Sequence, residues 1–195
     1  MLVLASASPR RIELLRQVGL DPRVLPSRVP ESRRKGESPQ AMVKRLSQDK
    51  AREVATRLMA TAARTKAPLQ GQVLAADTTV AVGRQVLEKP SDAVHAVRML
   101  KRLSGKSHTV YTGVCILDLA RGKETAFVEA TKVFFRKLSL AEIQAYVSTG
   151  EPLDKAGAYG IQGGAAAFVR RIEGDYFNVV GLPLARVVEI LESMA

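Results

Sequence analysis

Short apolar runs alternate with longer amphipathic stretches along the chain, and each kind predicts an element. Leu2-Val-Leu-Ala5 reads as a short buried strand, and Pro9 at a first helical position opens a helix with Ile12, Leu14, Leu15 and Val18 on or near one face. Gly19 and Asp21-Pro22 end that helix, and residues 23–27 suggest a second short strand. Residues 29–36 are polar and read as a loop. Ser38 then caps, and Pro39 starts, a helix to about Arg64, with Met42, Val43, Leu46, Val54 and Leu58 on its apolar face. Lys50 lies within it, followed by Ala51, whose small side chain lets another backbone come close. A break is expected from Ala67 to Gly71.

Gln72–Ala76 is a short apolar strand leading into Asp77-Thr78-Thr79, and Val80–Val82 with Gln85–Leu87 form a hairpin about Gly83-Arg84. Ser91-Asp92 caps a helix with Val94, Val97, Leu100 and Leu103 as its apolar positions. Two long strands, about 107–119 and 124–138, join at Arg121-Gly122. Ser139 caps a helix through Tyr146, which Gly150 closes. Residues 151–162 form a Gly-rich loop, 165–172 a strand, 173–183 a loop and 184–191 a terminal helix. Strands and helices interleave, and two adjacent hairpins make the sheet mixed, so the expected class is α/β with antiparallel parts. No internal repeat interrupts this order, and residues 1–195 are read as a single domain.

Composition narrows the function without choosing it. With 195 residues, 46% of them hydrophobic, and mean hydropathy near zero, the chain is a folded, soluble type. No apolar run approaches the ~18–20 residues of a membrane span, and no leader pattern is visible, so a cytoplasmic location without membrane contact is expected. Cys115 lies alone in an apolar run and reads as a buried, inert thiol; one cysteine and two histidines exclude a Cys/His zinc cluster. A net charge of +11 implies polyanionic company, nucleic acid or phosphorylated small molecules. Aromatic residues make up only 5%, with no tryptophan, so a stacking platform for single-stranded nucleic acid is poorly supplied.

Candidate chemistry gathers at a few polar positions. Ser6 and Ser8 can present hydroxyls and free N–H groups at a helix start, where peptide dipoles favour an anion. Arg10 and Arg11 in the first turn oppose that dipole unless an anion sits between them; a serine cap followed by solvated arginines is the plainer reading. Asp77 stands at the carboxyl end of an apolar strand, where open α/β sheets place ligands, although Asp-Thr-Thr is also a common turn start. Glu31 could supply a second carboxylate, and two oxygen ligands plus substrate phosphates suit Mg²⁺; alone it is a solvated loop charge. Lys50 and Lys89 have bland readings as surface and turn lysines, but Pro90 stiffens the turn at Lys89 enough to aim its amine at a phosphate. The glycine-rich stretch around Gln162 is either a connector or a loop whose backbone approaches a ligand while the amide reads a donor/acceptor pair.

Taken together, Leu4-Ala-Ser-Ala-Ser-Pro-Arg-Arg11, Glu37-Ser-Pro39 leading to Lys50-Ala51, Ala75-Ala-Asp-Thr78, Lys89-Pro90, Leu103-Ser-Gly105 with His108–Gly113, Thr149–Gly163 and Asn178-Val-Val-Gly-Leu-Pro-Leu184 resemble the Maf family of nucleoside triphosphate pyrophosphatases. The blocks occur in the family's order across almost the whole chain. The resemblance implies an elongated mixed sheet with flanking helices and two lobes around a cleft, similar to the inosine triphosphate pyrophosphatases. It implies Asp77 as general base. Arg10, Thr78 and Gln162 match positions that set base specificity, and Ser8, Arg11, Glu31, Lys50 and Lys89 match phosphate or metal contacts, with a divalent cation, Mg²⁺ or Mn²⁺, held by Asp77 and Glu31. Ser47, where alanine is common, and Gly163-Gly-Ala-Ala-Ala167 are departures outside that chemistry.

The activity so implied is hydrolysis of a nucleoside triphosphate to the monophosphate and pyrophosphate, a house-cleaning role in nucleotide pools. Gly160–Gly163 with Asn178–Gly181 resembles the branch acting on dTTP and UTP; the 7-methyl-GTP branch is the nearest alternative. A Gln side chain matches the carbonyl and N3–H edge that thymine and uracil share. From another class, the +11 charge and the family's septum-inhibitor history leave open a nucleotide-sensing or nucleic-acid-binding regulator of cell division. Partners expected are the nucleotide, no specific nucleic acid, and a homodimer as an open option.

Overall fold

The computed structural model describes residues 1–66 and 68–194; Ala67, where the break after the long helix is expected to begin, lies outside the described residues. The elements run β1 (Leu2–Leu4), α1 (Pro9–Gln17), β2 (Arg23–Val24), α2 (Pro39–Thr65), β3 (Gln72–Val82), β4 (Gln85–Leu87), α3 (Ala93–Leu103), β5 (Ser107–Asp118), β6 (Glu124–Phe135), α4 (Leu140–Ser148), β7 (Val169–Glu173), α5 (Tyr176–Val180) and α6 (Leu184–Ser193). The sheet is ordered β2-β1-β3-β5-β6-β7, with β4 also on β3. β1 is parallel to β2 and β3, whereas β3–β4 and β6–β7 are antiparallel, so the sheet is mixed as expected. It is open and flanked by helices.

The chain forms two compact units: residues 1–77, 112–128 and 181–195 make the first, residues 78–111 and 129–180 the second. In the first, α2 lays Ala51, Val54, Ala55 and Leu58 against Val3 and Ala5 of the β1 segment, Val73 and Ala75 of β3, and Cys115 and Leu117 of β5. Five apolar positions expected on α2, Met42, Val43, Leu46, Val54 and Leu58, are all buried. Gly113 lets α2 seat this closely: a Cβ added there would stand 2.1 Å from the Val43 carbonyl oxygen, inside any real contact distance. Cys115 is fully buried, and burial pushes its thiol up to about 12.

The second unit is held by rings. His108 packs edge-on against Phe135 and Tyr159 at centroid distances of 4.9 and 5.3 Å, and Tyr146 meets Phe168 at 5.2 Å. His108 Nε2 lies 2.8 Å from the Tyr159 hydroxyl, and Asn178 Nδ2 donates to the Val110 carbonyl (3.1 Å) and Thr131 Oγ1 (2.9 Å). Such partners remove much of the cost of burying polar atoms.

Several expectations need correction. The run 72–82 is one continuous strand rather than a strand, a turn and a second strand, because Thr78, Thr79 and Val80 are β-branched and carry the extended backbone past Asp77. β2 is only two residues long, since Pro26 removes a donor just beyond Leu25. Val94 points to solvent, and Ala96 and Met99 take its place on the buried face of α3. The Gly-rich loop contains short 3-10 turns at Glu151–Asp154 and Ala156–Ala158, and a third at Gly164–Phe168 delays β7 to Val169. Tyr176–Val180 is helical where a loop was expected, its start fastened by Asp175 Oδ1 accepting from Phe177 N at 2.7 Å.

Candidate active site

Asp77 sits midway along β3 rather than at a strand end, and its carboxylate is buried with a side-chain exposure of 8%. A lone carboxylate in such a place would be costly. It has a partner: Lys50 Nζ, itself 7% exposed, donates to Asp77 Oδ1 at 2.7 Å. α2 brings Lys50 there because Ala51 and Val54 lock the adjoining face of the helix into the core. The same ammonium lies 2.6 Å from Glu31 Oε1, so two carboxylates from distant parts of the chain share one cation.

Arg11 completes the group and is not a solvated first-turn arginine. Its Nε donates to the Gly181 carbonyl at 2.8 Å, and NH1 donates to Ser6 Oγ at 3.0 Å and the Ala76 carbonyl at 2.9 Å. The pairing of β3 with β1 ends at Leu74 and that with β4 begins at Val80. The Ala76 carbonyl, between these registers and next to Asp77, thus takes its donor from Arg11. Ser6 also accepts from Ser8 N at 3.2 Å, whereas Ser8 makes no side-chain cap to α1. That outcome differs from the cap expected at this serine: Ser6 folds back and serves the guanidinium.

Electrostatically the quartet is balanced, with Arg11 and Lys50 against Asp77 and Glu31. Burial nonetheless dominates at Asp77 and holds its carboxyl above the ordinary range, with Lys50 and Arg11 pulling the other way and Glu31 adding to the rise. Burial likewise lowers Arg11, opposed by Asp77 and Glu31. A carboxylate so poised is a better proton acceptor than a surface aspartate.

The structure therefore gathers Ser6, Arg11, Glu31, Lys50 and Asp77 in the first unit. Ser8 and the half-buried Arg10 lie beside them in sequence, at the start of α1. Thr78, Lys89 and Gln162 belong to the second unit. Thr78 is half-buried on β3; Lys89 is exposed after β4; Gln162 is exposed at a turn where Gly163 N donates to the Gly160 carbonyl at 3.2 Å. Sequence reasoning missed the carbonyls of Ala76 and Gly181 as anchors of Arg11, although both residues lie inside resembling blocks, Ala75–Thr78 and Asn178–Leu184.

The donor set suits a hard divalent cation. Among the described residues no group of three His, Cys, Asp or Glu side chains converges, which leaves two carboxylates flanking Lys50. Mg²⁺ keeps several waters and typically takes one or two carboxylates plus substrate phosphates, so two protein oxygens are sufficient. Among the described residues no helix is long and apolar enough to cross a membrane.

A family model described as Maf-like protein matches residues 1–194. The chain is similar to a dTTP/UTP pyrophosphatase of Moorella thermoacetica, with 52% identity over 97% of this chain and 93% of that protein. Similar proteins of the same name occur in Geobacter metallireducens, 50% identical over 99% of this chain and 95% of theirs, and in Pelotomaculum thermopropionicum, 47% identical over 98% and 95%. With a family match over nearly its full length and relatives this close, on a mixed α/β sheet that buries an acid and a lysine together, the chain belongs to the Maf-like protein family.

Proposed function

We propose that the protein is a nucleoside triphosphate pyrophosphatase acting on dTTP and UTP, cleaving the anhydride between the α- and β-phosphates to give the monophosphate and pyrophosphate. The observation that carries this reading is the buried ammonium of Lys50 held between Asp77 and Glu31. It combines with the name shared by relatives about half identical over nearly the whole chain.

In this reading Asp77 accepts a proton from the attacking water, for which its raised pKa suits it. The water oxygen bonds to phosphorus, the α–β bridging P–O bond breaks, and pyrophosphate leaves with that bond's electrons. Lys50 offsets the charge that builds on the leaving group, and exposed Lys89 adds a second cation. Arg11, already committed to two backbone carbonyls and Ser6, keeps the β3 backbone beside Asp77 in place while adding positive potential. Ser8 and Arg10 at the start of α1 serve the phosphates and base; Thr78 and Gln162 read the pyrimidine edge, where a wrong base leaves polar groups unpaired. A divalent cation, Mg²⁺ or Mn²⁺, held by Asp77 and Glu31 supplies Lewis-acid polarisation of the phosphate oxygens when bound.

The same reading makes the basic surface a matter of substrate steering, in a cytoplasmic enzyme without sequence-specific nucleic-acid binding; homodimerisation is compatible with it. Supporting this, many arginines are already paired with acids, among them Arg16 with Asp21, Arg52 with Glu124 and Arg136 with Glu142. The experiment is pyrophosphate release from dTTP, UTP, dCTP, dATP, GTP and 7-methyl-GTP, with Mg²⁺ or Mn²⁺ and with chelator. Highest kcat/KM on dTTP and UTP, abolished by chelator, is expected. Preference for 7-methyl-GTP overturns the substrate, and full activity in chelator overturns the cation.

A further inference from the structure

Glu31 poses a problem of placement. Its side chain is 57% exposed, and it lies in the long irregular segment between β2 and α2, yet its carboxylate meets Lys50 at 2.6 Å. An exposed carboxylate on an irregular segment ordinarily samples many positions, and holding it costs conformational entropy. Something must fix the segment on both sides of residue 31.

The fixing groups all come from one face of α2. Arg45, Asp49, Glu53 and Arg57 recur every four residues and so form one ridge along the helix. On the C-terminal side of Glu31, Arg45 grips Glu37 with both arms of its fork, Nε to Oε1 and NH2 to Oε2, each at 2.7 Å. NH2 also donates to the carbonyl of Ser32, the residue next to Glu31, at 3.1 Å, and Asp49 pairs with NH1 at 3.4 Å. Glu37 in turn gathers the turn before it, accepting from Arg34 N at 3.0 Å on its carboxylate and from Arg33 Nε at 3.0 Å on its carbonyl. On the N-terminal side, Arg57 donates to the Pro26 carbonyl at 2.7 Å, Glu53 accepts from Arg28 N at 3.3 Å, and Glu53 and Arg57 pair at 2.9 Å.

These are not casual surface ion pairs. The side chains of Arg45 and Glu37 are only 16% and 9% exposed, and hydrogen bonds from Arg45 hold Glu37 ionised with a pKa of about 2. A bidentate guanidinium–carboxylate pair fixes angle as well as distance, which a lysine in the same place does not. The ridge residues lie on the same helix as Lys50, so α2 places the ammonium and, through residues 26–37, one of the two carboxylates that flank it.

We propose that Arg45, with Glu37 as its partner and Glu53–Arg57 as the second fastening, is a positioning residue that holds residues 26–37 on α2 so that Glu31 reaches Lys50 and the cation-bearing triphosphate. Arg45 acts through Ser32 and Glu37 and does not itself touch the substrate. The proposal rests on the pyrophosphatase reading for what Glu31 does, though not for where Glu31 is held.

The test uses the full chain with Arg45→Met, Arg45→Lys, Glu37→Gln, Glu31→Gln and the double variant Arg45→Met/Glu31→Gln. Two readouts are taken: amide hydrogen exchange in the nucleotide-free, cation-free protein, and pyrophosphate release from dTTP as a function of Mg²⁺ concentration. Arg45→Met is expected to speed exchange over 28–37 by roughly tenfold or more, leave the buried face of α2 protected, and raise the half-activating Mg²⁺ concentration by roughly tenfold. Arg45→Lys and Glu37→Gln are expected to fall between it and wild type, and they carry the test if Arg45→Met does not fold. The double variant should be no worse than Glu31→Gln alone, because Arg45 then has no carboxylate left to place. Unchanged exchange over 28–37 overturns the proposal, as does a double variant showing the full product of the two single losses, which marks Arg45 as support for the fold at large. Wild-type activity in Glu31→Gln instead overturns the role given to Glu31 in hydrolysis, and the clamp then stands or falls on the exchange result.

Discussion

The two units bury polar groups in opposite ways. In the first, Arg11, Lys50 and Asp77 go inside as charges, and each is made tolerable by the others and by Glu31 at the rim. In the second, the buried polar groups are neutral: His108 with Tyr159, Asn178 with Thr131 and Val110. A buried ion set is weak evidence for stability, because desolvation consumes most of the Coulombic gain, whereas neutral hydrogen-bonded groups cost less to bury and also specify the packing. The first unit keeps charges among its buried groups, which the proposed reading uses to take a proton and stabilise a leaving group; the second buries neutral rings and amides.

The comparison breaks most visibly at Asp77. Asp77→Asn keeps the shape, and Lys50 keeps Glu31, so the protein should still fold and bind nucleotide. Turnover should fall by roughly a thousandfold, about 4 kcal/mol of barrier, as judged by pyrophosphate release. Near-wild-type hydrolysis would show that the buried charge is structural and not the base.

Acid should distinguish the units in stability. Burial pushes His108 down from 6.5 to about 4, so between those values the unfolded chain takes up a proton that the native state refuses. This contribution is complete above pH 6.5 and is lost as the pH falls through about 4, amounting to about 3 kcal/mol. Asp77, raised by its burial, works in the opposite sense. Denaturant unfolding of wild type and His108→Gln at several pH values isolates the histidine; identical pH slopes would refute its burial as a neutral ring.

A smaller effect sharpens the same contrast. Tyr159→Phe removes the hydroxyl at His108 Nε2, and Nδ1 has no hydrogen-bond partner among the described residues. The expected cost is about 2 kcal/mol in urea unfolding, the usual penalty for a buried polar atom left unpaired. A loss under about 0.5 kcal/mol would mean that the ring contacts alone hold this part of the unit.

Local pattern predicted what local pattern controls. The buried face of α2, the Ser38 and Ser139 caps and the β3–β4 hairpin were legible because each depends on residues a few positions apart. Asp77 and Lys50 stood out in the sequence as candidates, but not as partners, since 27 positions separate them and only the seating of α2 on β3 joins them. The continuity of β3 through Asp77 was hidden because Asp-Thr-Thr serves equally as a turn start. Arg10 and Arg11 look alike in sequence. Only the fold decides that the second turns inward to carbonyls 65 and 170 positions away. His108 and Tyr159 gave no periodic signal to mark them as a pair.

Gly113 shows how far from the chemistry its dimensions are set. The backbone of α2 at Val43 rests where a side chain on residue 113 would begin, so a single methyl would have to lift the helix by most of an ångström. Lys50 stands seven residues further along the same rod, about 10 Å by helix rise, where a tilt of about 5° moves the ammonium by about 1 Å. Misplacement on that scale can cost a catalyst about a hundredfold. Gly113 thus works as a shim of zero thickness beneath a lever, a tolerance that no inventory of side chains around the nucleotide would reveal.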